Sequence, residues 1–161
     1  MQKGKKSDSI LLINLLEQAF DKKAWHGTNL KGSLRGLKPA QLIYRPQLKR
    51  HNIWEIALHA AYWKYTVYRW LTNAKRGSFP RKPSNWPKIP EKADLKSWKK
   101  DFTLLRNQHI QLIEAIKEFP SSKLFKQIEG TAWNYTKLIY GVASHDLYHA
   151  GQIQLLKRLV K

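Results

Sequence analysis

Two histidines near the end of the chain, His145 and His149, are four residues apart in a segment with helical spacing. Residues i and i+4 of an α-helix lie on one face, so both imidazoles can reach a single metal ion. The predicted inward-facing stripe of this helix consists of Leu138, Gly141, His145, Tyr148, Gln152, Leu155 and Leu159. An imidazole buried there needs a polar partner. A shared metal ion would satisfy both rings, and hydrogen bonds within an ordinary core are the simpler alternative.

A metal site would need a third ligand. The chain has no cysteine, so any ligand must be a histidine, a carboxylate or water. The pattern His145-Asp146-Leu147-Tyr148-His149 invites comparison with the His-Glu-x-x-His helix of zinc proteases, but no His, Asp or Glu follows it. The third ligand must therefore lie upstream. His59, at the border of the inward face of an earlier predicted helix, is the natural candidate.

Five further residues could serve such a site, and each has a structural alternative. Glu55 shares the side of the helix that carries His59, although a helix-cap role is the simpler reading. Gln152, one turn past the second histidine, could hydrogen-bond a ligand or form a structural bond. Asp146 could orient a ligand histidine or join a salt bridge. His26 and Trp63 could line the pocket, with helix capping and core packing as their respective alternatives.

Four long helices are predicted to carry these residues. They run from a cap at Asp8 or Ser9 to Gly27, from Asn52 to Leu71, from Asp94 to Pro120, and from Asn134 or Tyr135 to the C-terminus. Residues 28–50 predict one or two brief helices, and the proline-rich segment 77–90 is long enough for the second and third helices to run parallel. No segment has the alternation of a strand, so the fold class is all-α, a four-helix bundle.

The chain of 161 residues fits one domain, with residues 1–7 as a flexible basic tail. Lys and Arg outnumber acids 30 to 11, which gives a formal net charge of +19. Nucleic acid is therefore a candidate partner, but the basic residues are dispersed along the chain, and a solvated basic surface is the preferred explanation. The sequence contains neither a signal peptide nor a membrane-spanning segment, which predicts a cytoplasmic protein without membrane contact.

Two segments resemble the DinB-like (DinB/YfiT) superfamily of bacterial metalloproteins. They are residues 53–59 (IWEIALH) and residues 141–153 (GVASHDLYHAGQI). Residues 24–27 (AWHG) and the pair Arg45 and Pro46 are similar to features of one branch. The resemblance implies a four-helix bundle with an up-down-down-up path. It also implies a divalent metal ion held by three histidines, which fall here on His59, His145 and His149.

Relatives in that superfamily include thiol-dependent transferases and isomerases. The resemblance therefore implies a metal-dependent transferase that uses a low-molecular-weight thiol on a small molecule, and activation of a metal-bound water would make the protein a hydrolase instead. Three imidazole ligands suit Zn, Ni or Fe as the metal. Three histidines with open positions are typical of a catalytic rather than a structural metal site. The aromatic-rich surface makes a homodimer plausible. The alternative is a basic nucleic-acid or anion-binding module whose metal site is structural or vestigial.

Overall fold

The computed structural model describes residues 3–75, 77 and 79–160. Its helices are α1 (Lys3–Phe20), α2 (Leu30–Ser33), α3 (Pro39–Ile43), α4 (Ile53–Thr72), α5 (Leu95–Glu118) and α6 (Tyr135–Leu159), with a 3₁₀ turn at Ser121–Lys123. In these residues there is no strand, only an isolated antiparallel bridge between Gln127 and Asn134. The prediction of an all-α fold is confirmed.

The four long helices form a closed ring in which α4 contacts α5 and α6, and α1 contacts the same two helices. Trp54 near the start of α4 donates a hydrogen bond of 2.9 Å to Asp101 near the start of α5, and the later turns of both helices share one apolar cluster. These two helices therefore run parallel. The path is up-down-down-up, because α6 runs parallel to α1 and antiparallel to α4.

Three side-chain caps fix where the long helices begin. The side-chain oxygen of Asn52 accepts from the backbone N–H of Glu55 at 2.9 Å, that of Asp94 from Ser97 at 3.0 Å, and that of Asn134 from Lys137 at 2.8 Å. Each cap satisfies an N–H that has no partner within its own helix. The predicted starts of α4, α5 and α6 are confirmed.

Both ends of α1 differ from the prediction. The helix already includes Lys3, since extending a formed helix by further residues costs far less than nucleating it. Of the predicted flexible tail, residues 1 and 2 lie outside the described part of the chain. The C-terminal end lies at Phe20 rather than Gly27, because the N–H groups of Asp21 and Lys22 both bond the carbonyl of Glu17, at 2.8 Å each, and close the helix.

The inward face of α6 is rotated from the predicted stripe. Its buried residues are Ile139, Val142, Ala143, Asp146, His149, Ala150, Ile153 and Leu156. Tyr148 and Leu155, which the stripe placed inside, are 64% and 61% exposed. The histidine face therefore lies at the edge of the core, where side chains meet both the core and solvent.

None of the helices in the described ranges combines the length and hydropathy that a membrane span requires.

Candidate metal centre

Three histidines from two antiparallel helices point their Nε2 atoms at one another. The Nε2 atom of His145 on α6 lies 3.1 Å from that of His59 on α4 and 2.9 Å from that of His149. His59 and His149 are buried, and His145 is partly buried. The sequence placed all three residues together, and they form a group whose ligand atoms lie within 4.8 Å of one another.

Hydrogen bonds at the opposite ring nitrogens orient two of these imidazoles. The Nδ1 of His59 donates to the backbone carbonyl of Asn85 at 2.8 Å, and the Nδ1 of His149 donates to Oε1 of Gln152 at 2.7 Å. Both partners are acceptors, so each ring carries its proton on Nδ1 and presents a lone pair at Nε2. Such bonds hold metal-binding histidines in the required tautomer.

A divalent cation fits this donor set. Two of the Nε2 atoms carry lone pairs, so the three atoms share at most one proton, on His145, whose buried Nδ1 has no partner among the described residues. Nitrogens bound about 2.0–2.1 Å from one tetrahedral ion would lie roughly 3.3 Å apart, close to the spacing present here. Three lone pairs directed at one point repel each other unless a positive charge lies between them.

Protonation cannot readily supply that charge near neutral pH. Burial, together with the adjacent His149 and His59, lowers the pKa of His145 to about 3. Burial also lowers the pKa of His149 to about 4, although its bond to Gln152 opposes this shift. The pKa of His59 is lowered chiefly by burial as well. The imidazoles are therefore neutral at pH 7, the form that binds metal ions.

The segment between α4 and α5 covers one side of the centre. The indole of Trp86 stacks on His59 with ring centroids 3.7 Å apart and planes 6° apart. Its other face stacks on His51, with centroids 3.5 Å apart. Trp86 thus fixes the plane of His59 while the neighbouring Asn85 fixes its tautomer. Sequence reasoning missed both residues, because an irregular proline-rich segment has no periodicity that reveals its spatial neighbours.

An open cavity of about 630 Å³ leads to the three histidines, and all three line it. Its other lining residues include Arg50, His51, Trp86, Tyr148 and Leu155. No Asp or Glu is among the lining residues in the described chain. The cavity therefore combines apolar walls with a basic rim, and this combination suits a small anionic molecule with an apolar part.

Neither predicted carboxylate helper faces the cavity. Glu55 closes the α4 cap and pairs with Arg45 and His51. Burial alone would raise the pKa of Glu55, but hydrogen bonds from Arg45 and His51 outweigh it and hold the pKa below its usual value. Asp146 is completely buried and pairs with Lys64 rather than with a ligand histidine. Glu55 therefore has the helix-cap role and Asp146 the salt bridge that the sequence analysis gave as their structural alternatives.

The other three predicted residues, Gln152, Trp63 and His26, lie at different distances from the three histidines. Gln152 contacts His149 directly, and its amide nitrogen donates to the hydroxyl of Tyr148 at 3.0 Å. Trp63 approaches His145 edge-on, with ring centroids 6.1 Å apart, but it lines a second cavity rather than the larger one. His26, which was predicted to border the pocket, is exposed beyond the end of α1 and is not among the residues that line either cavity.

Comparison with known proteins gives one match. The family model of the DinB superfamily matches residues 24–153, which include all three histidines and most of the chain. Neither the curated proteins nor the solved structures contain a match.

Proposed function

The chain belongs to the DinB superfamily, and on this premise we propose that it is an enzyme that uses one divalent metal ion, held by His59, His145 and His149. The reaction we propose is thiol-dependent group transfer or hydrolysis of a small molecule. Zn, Ni and Fe all suit three imidazole ligands. A low-molecular-weight thiol would be the cofactor or second substrate of the transferase.

One observation carries this proposal. The Nε2 atom of His145 lies within hydrogen-bond distance of those of His59 and His149, yet these two rings donate their protons to acceptors at Nδ1 and have none to share at Nε2. A purely structural cluster of core histidines would pair donors with acceptors. Here a proton on His145 would be the only donor among the three Nε2 atoms; without it both contacts pair acceptor with acceptor, whereas a bound cation satisfies all three lone pairs.

Each residue around the centre would have a separate role in binding or catalysis. When bound, a divalent cation supplies Lewis acidity, which favours the deprotonated form of a water or thiol beside it. Asn85 and Gln152 would hold the ligand rings in register, and Trp86 would exclude water from one side of His59. Arg50 at the cavity rim would attract an anionic substrate.

Elemental mass spectrometry of tag-free protein tests the proposal. We expect about one equivalent of Zn, Ni or Fe per chain, and loss of most of it in His145→Ala. His26→Ala, at an exposed histidine away from the centre, is the matched control and should keep the metal. A parent protein that is folded, metal-free and unable to take up any of these ions would overturn the proposal.

The basic nucleic-acid or anion-binding module stays the alternative, motivated by the net charge of +19. It predicts DNA or RNA affinity that falls steeply with salt and is the same in the parent and in His145→Ala. The enzyme proposal predicts instead that metal content falls in that variant together with the turnover of substrates for thiol transfer or for hydrolysis. Cytoplasmic location and a homodimer also stay predictions.

A further inference from the structure

A second concave surface lies beside the metal centre, on the other side of His145. We call it the tryptophan groove and define it by Trp63, Trp70, Trp133, Tyr140, Lys137 and His145. It has a volume of about 510 Å³ and lies between α4 and the first turns of α6. His145 lines both this groove and the larger cavity, so the two surfaces meet at a residue of the centre.

The aromatic residues of the groove are unusually accessible. Trp70 is 43% exposed, Trp133 46% and Tyr140 43%. Indole and phenol rings in a concave site offer flat faces on which a planar ligand can stack. Their exposure leaves apolar area in water that a bound molecule would cover.

The charge of the groove favours a negatively charged ligand. Lys137 is its only Lys or Arg, and no Asp or Glu lines it in the described chain. Lys137 is exposed and most of the other lining residues are apolar, an arrangement that suits a carboxylate attached to an apolar ring. A second copy of the chain is a poorer occupant, because each copy carries a net charge of +19 and the copies repel.

We propose that the tryptophan groove binds a planar aromatic carboxylate, with its ring among the indoles and its carboxylate at Lys137. This deepens the proposed function, on which it rests only in making the groove a substrate-binding surface of the enzyme in addition to the larger cavity. His145 at the inner end of the groove would bring the bound molecule next to the metal centre.

Titration with naphthoate, followed through the indole N–H resonances by NMR, tests the inference. We expect the signals of Trp63, Trp70 and Trp133 to shift, and that of Trp25, which is 99% exposed and outside the groove, to stay unchanged. Naphthamide has the same ring without the charge and should bind more weakly.

Substitutions separate the two parts of the site. Trp133→Ala should weaken naphthoate about tenfold through lost stacking and burial. Lys137→Met should weaken naphthoate about threefold to fivefold, as expected for an exposed ion pair, and leave naphthamide unchanged. Lys99→Met, at an exposed lysine of α5 outside the groove, is the control for general attraction to a basic protein and should have no effect.

Three results would overturn the inference. They are equal binding of naphthoate and naphthamide, shifts confined to Trp86 in the larger cavity, and a dimer by light scattering whose groove is closed to both probes. The titration is run on metal-free and metal-loaded protein. Groove binding without metal uptake would refute the proposed enzyme alone, whereas metal uptake without groove binding would refute this inference alone.

Discussion

The candidate centre depends on how one side chain, His59, is held from outside its own helix. Its Nδ1 donates to Asn85 at 2.8 Å, and its ring lies against Trp86. Both contacts come from the irregular segment that joins α4 to α5. The position of a predicted ligand therefore depends on a segment in which the sequence predicted no function.

Truncating Trp86 should weaken metal binding. Trp86→Ala removes the stacked ring and leaves His59 free to rotate, and we expect about a tenfold loss of Zn²⁺ affinity, the lower end of the effect of supporting residues. Competition against a chromophoric chelator measures the affinity. Trp86→Phe, which keeps a flat ring, should recover most of it.

The control for this experiment is Trp25→Ala, because Trp25 is 99% exposed and lines neither cavity. The cobalt form supplies a second readout, since a rotated His59 changes the visible spectrum of bound Co²⁺ whereas a general loss of stability does not. An alanine variant with parental affinity and spectrum would show that Trp86 only covers the centre.

At the scale of the elements, a buried ion pair joins α4 to α6 next to the histidines. Lys64 and Asp146 are both fully buried, and the ammonium group of Lys64 also lies 4.9 Å from the ring centroid of Phe20 on α1. Burial lowers the pKa of Lys64 and raises that of Asp146 to about 6, and each charge opposes the shift of the other. Each group therefore keeps its charge only while its partner is present.

Removing one member of this pair should cost far more than removing both. Lys64→Met leaves the buried carboxyl group of Asp146 without its cation, so that the group either stays charged and unpaired or takes up a proton, and we expect a loss of about 3–5 kcal/mol in the free energy of unfolding. In Lys64→Met/Asp146→Leu both charges are gone, and most of that loss should be recovered. Urea denaturation at pH 7 of the parent, both single variants and the double variant measures the coupling.

The exposed pair Lys117 and Glu114 on α5 is the matched control, and Lys117→Met should leave the unfolding midpoint unchanged. If the single and double changes at Lys64 and Asp146 were simply additive, the pair would not hold α4 against α6.

The helices also show which parts of the fold the sequence predicts and which it does not. Caps at Asn52, Asp94 and Asn134 are local, so the sequence predicts the starts of three helices within one residue. The predicted stripe of α6 was wrong because it was drawn through His145, which is only partly buried, whereas the buried face contains His149. Lys64 was missed although it follows Ala57 and Ala60 at helical spacing on a buried face, a pattern that could have revealed it. Contacts with Asn85 and Trp86 depend on the path of a loop, which no local pattern encodes.

At the scale of the whole molecule, acid should destabilise the protein through histidines held neutral in the fold. His109 of α5 is the clearest case outside the candidate metal centre. It is buried, its ring stacks on Phe20 with centroids 3.9 Å apart, and its Nδ1 has no partner in the described chain. Burial, together with the positive charges of the nearby Lys64 and Lys31, lowers the pKa of His109 to about 2.

The sign of the effect follows from which state binds the proton. Below pH ~6.5 the unfolded chain protonates His109 and the folded protein does not, so stability is fully present above that pH and declines towards the folded pKa. Between pH roughly 5.5 and 4, His109→Phe should reduce the slope of unfolding free energy against pH by about 1.4 kcal/mol per pH unit. Urea denaturation across this range measures the slope. The exposed control His26→Phe should keep the parental slope, and a His109 variant that also kept it would mean that His109 is protonated in the folded protein.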